Sequence, residues 1–329
     1  MPKIIILFIL SAMLLFTGCS ADGEDKHACA DCHSEVVNRI QASSHNTLDC
    51  AVCHSRLENH LRVSGVRPLV ELDSQICISC HDREHREWVL SPHGQITSVY
   101  TPDSLSKMKK SSHPDFPKPG YNQSEKVTCV YCHNLGNPQD AKLLRIPKGE
   151  LCDACHDTMW PNKVTGAIPA HSYPETDYSS FANHPHNQGS RCITCHMHPG
   201  TEVTGGHTLL MRSETGVNTA ACAPCHGTLE EFNVNNYQAE IQSAMDSLRL
   251  SLESRNGGYL PESAAGTCNQ CKKGGMQPFD HDPDLILEGA YQNYLQIHGA
   301  SGIHNPDFSL FILRQSIDAV ETGYQRQDR

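Results

Sequence analysis

Cysteine and histidine are the residues whose spacing in this chain points to chemistry. Of its 17 cysteines, 16 fall into eight pairs with a two-residue gap, and seven pairs are followed at once by histidine. These are Cys29-Cys32-His33, Cys50-Cys53-His54, Cys77-Cys80-His81, Cys129-Cys132-His133, Cys152-Cys155-His156, Cys192-Cys195-His196 and Cys222-Cys225-His226. The eighth pair, Cys268-Cys271, is followed by Lys272. Two thiols three residues apart on a helical turn can add across two vinyl groups of a porphyrin, and the adjacent imidazole then falls under the iron. C-x-x-C-H is the attachment signature of c-type haem. Zinc ribbons also use paired C-x-x-C but do not need histidine in the fifth place every time, and a disulfide framework would not fix one gap eight times over. The expectation is eight covalently attached haem c groups, with seven histidines and Lys272 as proximal iron ligands.

Each six-coordinate iron needs a second ligand. The chain has 21 histidines, and 21 − 7 = 14 are not proximal. First choices are His45, His60, His93, His113, His184 or His186, His207 and His304; His27, His85, His171, His198, His281 and His298 come second. Sequence does not say which of them serves which iron. Two imidazoles leave no vacant position, so such an iron changes charge without changing ligands, which suits outer-sphere electron transfer.

The elements that must hold these residues are short. Spacings between successive first cysteines are irregular, so no solenoid period is present, and Pro, Gly and Ser-rich loops fill the gaps. Only the last hundred residues carry long helical stripes. One is Tyr237, Ile241, Met245, Leu248 and Leu252; a second is Ile286, Ala290, Tyr294 and Leu295, after an Asp282-Pro283 start. The third is Phe308, Phe311, Ile312, Ile317 and Val320, opened by Asn305-Pro306. The predicted fold is mainly α with extensive irregular loops, organised around closely packed haems, with the long helices at the C-terminus packing on porphyrin faces. Residues 1–18, with an apolar run from Ile4 to Phe16, read as a lipoprotein-type signal peptide ending before Cys19, the expected lipidation site. Cleavage there leaves 329 − 18 = 311 residues for eight haems, too little protein for an apolar core at each one. The expected division is 19–183 with five haems and 184–329 with three. A formal charge of −11 argues against nucleic acid and suits cationic partners.

The stretch CITCHM (192–197), followed by His207, CAPCH (222–226), a long helix and GIHNP (302–306), resembles the C-terminal half of multihaem cytochromes related to the ammonia-forming nitrite reductases. That group includes octahaem hydroxylamine oxidoreductases and tetrathionate reductases, and the resemblance covers residues 184–320. It implies that a C-x-x-C-K haem is catalytic, with lysine proximal and the opposite face open; Cys268, Cys271 and Lys272 match that feature. Here the motif stands eighth, where the group has it first, second or fourth. No segment matches the group's Arg, Tyr and His pocket, although Arg255, Tyr259, His281, Tyr291 and His298 lie near in sequence. Three functions stay open. One is an exported electron carrier of anaerobic respiration, exchanging electrons with quinol-linked or periplasmic cytochromes or an outer-membrane conduit. Another is a reductase of nitrite, hydroxylamine or sulfur oxyanions at the Lys272 haem. The last is a subunit of an extracellular haem-stacked filament or of a membrane porin–cytochrome conduit, with a homo-oligomer among the expected assemblies. Localisation to the periplasmic face of a membrane or the cell surface, by lipid anchor, is expected.

Overall fold

The computed structural model describes residues 26–63, 65–66, 69–70, 74–95, 127–135, 140–156, 159–188, 191–258, 260 and 286–325. The expectations for Cys19, His113, Cys268, Cys271, Lys272, His281 and the Asp282-Pro283 helix start lie outside these residues. The architecture is mainly α. Among the described residues, the strands are two short antiparallel pairs, His54–Ser55 with Leu69–Val70 and Arg212–Ser213 with Gly216–Val217.

The chain divides into two compact units, residues 1–82 with 121–145 and residues 83–120 with 146–329. Four cysteine pairs fall in each range. The boundary expected at 183/184 does not coincide with this division, because the segment from 160 to 181 packs into the C-terminal core.

In the first unit each cysteine pair sits on about one helical turn. Helix α1 (Lys26–Gln41) carries the first pair and breaks helical geometry at His33 (φ −125°, ψ 39°). A 3-10 turn Cys50–Val52 begins the second pair, capped by the Asp49 carboxylate, which accepts the Ala51 N–H at 2.8 Å. The turn Cys129–Cys132 is braced by Arg145, whose guanidinium donates to the Val130 carbonyl at 2.8 Å and whose N–H donates to the Cys132 carbonyl at 2.8 Å. The only buried apolar side chains among this unit's described residues are Leu143 and Leu144. Four cysteine pairs thus surround almost no protein core.

The second unit has a core. Most of helix α2 (Asp82–Leu90) belongs to it. Three long helices follow: α3 (Tyr237–Arg255), α4 (Ile286–Ala300) and α5 (Pro306–Gln325). On α3 the predicted stripe is the buried face: Ile241, Met245, Leu248 and Leu252. It meets Phe308, Ile312, Leu313 and Val320 of α5. These stripes therefore pack against one another, where porphyrin faces had been expected. Burying each Leu or Phe contributes about 1.5–3 kcal/mol.

Helix α4 buries a different face from the one predicted. Leu287, Ala290, Tyr291, Asn293, Gln296 and Ile297 are inside. The two carboxamides, one helical turn apart, clamp the segment 168–171. Asn293 accepts the His171 N–H at 2.8 Å and donates to the His171 carbonyl at 3.1 Å. Gln296 accepts the Ala170 N–H at 2.6 Å and donates to the Ile168 carbonyl at 2.7 Å. Both carboxamides are thus satisfied by a strand-like exchange without a strand.

Candidate metal centres

Five histidine pairs meet at one spacing. His33 and His60 have ring centroids 5.9 Å apart, His45 and His81 6.0 Å, His93 and His156 5.9 Å, His196 and His304 6.3 Å, and His186 and His226 6.4 Å. Each pair joins one C-x-x-C-H histidine to one from elsewhere. A metal–imidazole bond is about 2.0–2.1 Å and the nitrogen lies about 1.1 Å from its ring centre, so two imidazoles on one metal place their centroids about 6.3 Å apart. Direct stacking would bring rings closer than this; the observed gap fits one iron.

The ring tautomers agree. A backbone carbonyl only accepts, so an Nδ1 beside one carries the proton, and the neutral ring's lone pair is on Nε2. His60 Nδ1 donates to the Val66 carbonyl at 2.6 Å, His186 to Ile303 at 2.9 Å, His196 to Leu209 at 2.8 Å and His304 to Ala300 at 2.7 Å. Outside the five pairs, His133 does the same to Lys142 at 2.8 Å, and His198 to Pro199 at 2.9 Å. Such partners orient metal-bound imidazoles and raise their basicity. His184 differs: its Nδ1 accepts the His186 N–H at 3.2 Å, which places the proton of the neutral ring on Nε2.

At His45, His54, His93 and His304 burial favours the neutral ring, the form that binds metal. It pushes His93 down to about 4, helped by His156, and His304 down to about 4, with His196 and His186 adding to the effect and the Ala300 bond opposing it. His45 is lowered by burial and by His81, and His54 by burial and by His33 and His60. Three buried ring nitrogens, His45 Nδ1, His54 Nδ1 and His85 Nε2, have no hydrogen-bond partner.

The other predicted residues are placed as follows. His207 lies on a tight turn beside Glu87, whose carboxylate stands 3.7 Å from Nδ1. Burial alone would push the Glu87 carboxyl up; hydrogen bonds from the His207 N–H and Arg83 outweigh it and hold the group below the usual carboxylate range. His171 is clamped to α4, its ring against Gly289. His298 stacks on Tyr294 at 6.1 Å, and Tyr294 on Tyr291 at 6.2 Å. Tyr291 is fully buried in the helical core.

The thiols also fit the group. Cysteines of one pair share one turn, and Cys195 lies near enough to Cys222 and Cys225 that, after burial, their charges push its thiol up. Apolar side chains stand exposed beside the motifs, Val52 within the second (46% exposed) and Val36 just after the first (55%). A porphyrin seated there covers them. Among the described residues, no three His, Cys, Asp or Glu converge on a point, so these pairs build no zinc cage there.

These features, with the family match that follows, support a c-type cytochrome that carries covalently bound haem c and works in electron transfer. Residues 76–157, which contain the third, fourth and fifth motifs, match the family described as cytochrome c554 and c-prime. No curated protein and no solved structure matches the chain. The family match lies upstream of residues 184–320, for which a likeness to the nitrite reductase group was expected.

Proposed function

We propose that this chain is an exported octahaem electron relay of anaerobic respiration whose irons are closed on both faces by protein ligands. The pairing of histidines carries the proposal. The pairs His33–His60, His45–His81, His93–His156, His196–His304 and His186–His226 serve the motifs 29–33, 77–81, 152–156, 192–196 and 222–226. The remaining sites use His54, His133 and Lys272 as proximal ligands, each closed by a second protein ligand. Haem c held by these residues supplies reversible one-electron chemistry at iron.

Filled axial positions keep the imidazoles in place in both charge states. Shared segments bring the sites together. One stretch carries His45 for the third motif, the second motif itself and His60 for the first. Another carries His186 for the seventh motif and the attachment of the sixth.

The acidic charge of −11 suits a cationic face on redox partners, among them quinol-linked or periplasmic cytochromes or an outer-membrane conduit. Lipidation at Cys19 would hold the protein on an extracytoplasmic membrane face. Among the described residues no helix is long and apolar enough to cross a membrane.

Intact mass and low-temperature EPR of the oxidised protein test this reading. Eight haem masses and eight low-spin irons are expected. One high-spin iron that binds nitrite or cyanide stoichiometrically would overturn the closed relay and favour a reductase at Lys272.

A further inference from the structure

Behind the fourth motif runs a short strap, residues 140–145. The His133 ring Nδ1 donates to the Lys142 carbonyl at 2.8 Å, the Asn134 N–H to the Leu143 carbonyl at 2.7 Å, and the Arg145 N–H to the Cys132 carbonyl at 2.8 Å. His133 and Leu144 face each other as an antiparallel bridge. The Asp140 carboxylate holds the strap's own turn by accepting the Lys142 N–H at 2.7 Å.

Two features exceed what closing a loop requires. Leu143, a buried residue, takes the left-handed region (φ +53°), which leucine adopts only at a cost. Successive carbonyls of an extended strand point to opposite sides; this kink lets the carbonyls of Lys142 and Leu143 both serve the motif. The backbone is thus bent to fix the proton of the His133 ring on Nδ1.

The second feature is a charge. Nε–H and Nη2–H of Arg145 both donate to the Val130 carbonyl, at 3.1 and 2.8 Å, and Nη2–H also reaches the His133 carbonyl at 3.4 Å. Two carbonyls need donors, and a neutral amide would supply them. A guanidinium adds a positive charge that no accessible pH removes. Arg145 is half-buried, so water screens its field less than that of a surface cation.

We infer that Arg145 is a positioning residue of the 129–133 site. It clamps the attachment turn to the strap that orients His133, and its charge holds that haem's reduction potential above the value a neutral side chain would give. Ferric haem carries one more positive charge than ferrous haem, so a fixed cation nearby favours the reduced iron. The inference rests on the reading of 129–133 as a haem site, a motif that lies within the family match over residues 76–157.

Spectroelectrochemical titration of the intact holoprotein tests it, with intact mass counting haems and EPR counting low-spin irons. Cys129→Ser together with Cys132→Ser assigns the site: one haem mass and one midpoint are lost. Arg145→Gln keeps a donor for the Val130 carbonyl but removes the charge. The assigned midpoint then falls by at least a tenfold change in its reduction equilibrium, 59 mV for one electron, while that iron stays low-spin. Arg145→Lys restores the charge without the fork, and the midpoint recovers to within half of that shift. Arg39→Gln, at an arginine whose side chain is 54% exposed, removes the same formal charge and moves no midpoint that far. If the double serine variant keeps every haem, the attachment reading falls and this inference with it. If it loses one while Arg145→Gln leaves the assigned midpoint in place, Arg145 only braces the turn and the inference is overturned. Should Arg145→Gln fail to assemble, Arg145→Lys decides alone: a midpoint preserved to within half of that shift supports the role of charge, and a larger fall refutes it.

Discussion

The rings of His196 and His304 lie within 13° of parallel, 6.3 Å between centroids, although more than a hundred residues of chain separate them. Both Nδ1 atoms are spent on backbone carbonyls, Leu209 and Ala300, so both Nε2 lone pairs are available to one metal. His304→Ala is expected to remove one low-spin iron from the EPR count and add one high-spin iron, with haem content unchanged. An unchanged low-spin count would contradict the pairing.

His184 and His186 are two residues apart, and their hydrogen bonds separate them. His186 donates through Nδ1 to the Ile303 carbonyl, whereas His184 accepts there. His186→Ala should open the iron of the 222–226 site to cyanide, seen as a one-per-chain Soret shift. His184→Ala should not. The reverse result would exchange their roles.

Asn293 is fully buried and satisfies both backbone groups of His171. Asn293→Ala strands those groups, at about 1–3 kcal/mol each. A loss of about 3 kcal/mol in chemical denaturation followed by far-UV circular dichroism is expected, with haem content preserved. A loss under about 0.5 kcal/mol, the size of an ordinary surface change, would show that the clamp is dispensable.

Burial holds His93 and His304 neutral down to about pH 4, while in the unfolded chain histidine titrates near 6.5. The folded value lies below the unfolded one, so as the pH falls the unfolded chain takes up protons first. Stability is full above about 6.5, declines between about 6.5 and 4, and levels off below. Coordination by iron acts in the same direction, since a bound nitrogen has no lone pair for a proton. Denaturation midpoints measured from pH 8 to 4 should follow this curve; a flat profile through the window would contradict it.

The c-type cytochrome class was legible because haem attachment demands cysteines at one gap and histidine next. The buried face of α3 was legible because Ile241, Met245, Leu248 and Leu252 are all apolar at helical spacing. On α4 the inward face includes Asn293 and Gln296, and polarity there disguised the stripe; nothing local says that a carboxamide will find backbone groups more than a hundred residues away. The pairing of histidine rings was hidden for a related reason. His60, His93 and His304 look alike in sequence, and tertiary packing decides which ring each faces. The exchange between His184 and His186 turned on one hydrogen bond.

The distance along the chain between paired histidines also sets an order of assembly. In a chain emerging from its N-terminus, the 29–33 site would acquire its second imidazole when His60 appears. The 77–81 site is complete as soon as His81 arrives, because His45 has gone before. The 192–196 site waits longest, since its partner precedes the last helix, α5, by only two residues. A chain stopped or clipped before His304 would leave the iron of that site with one face bare, so the turn leading into the last described helix would supply the closing ligand.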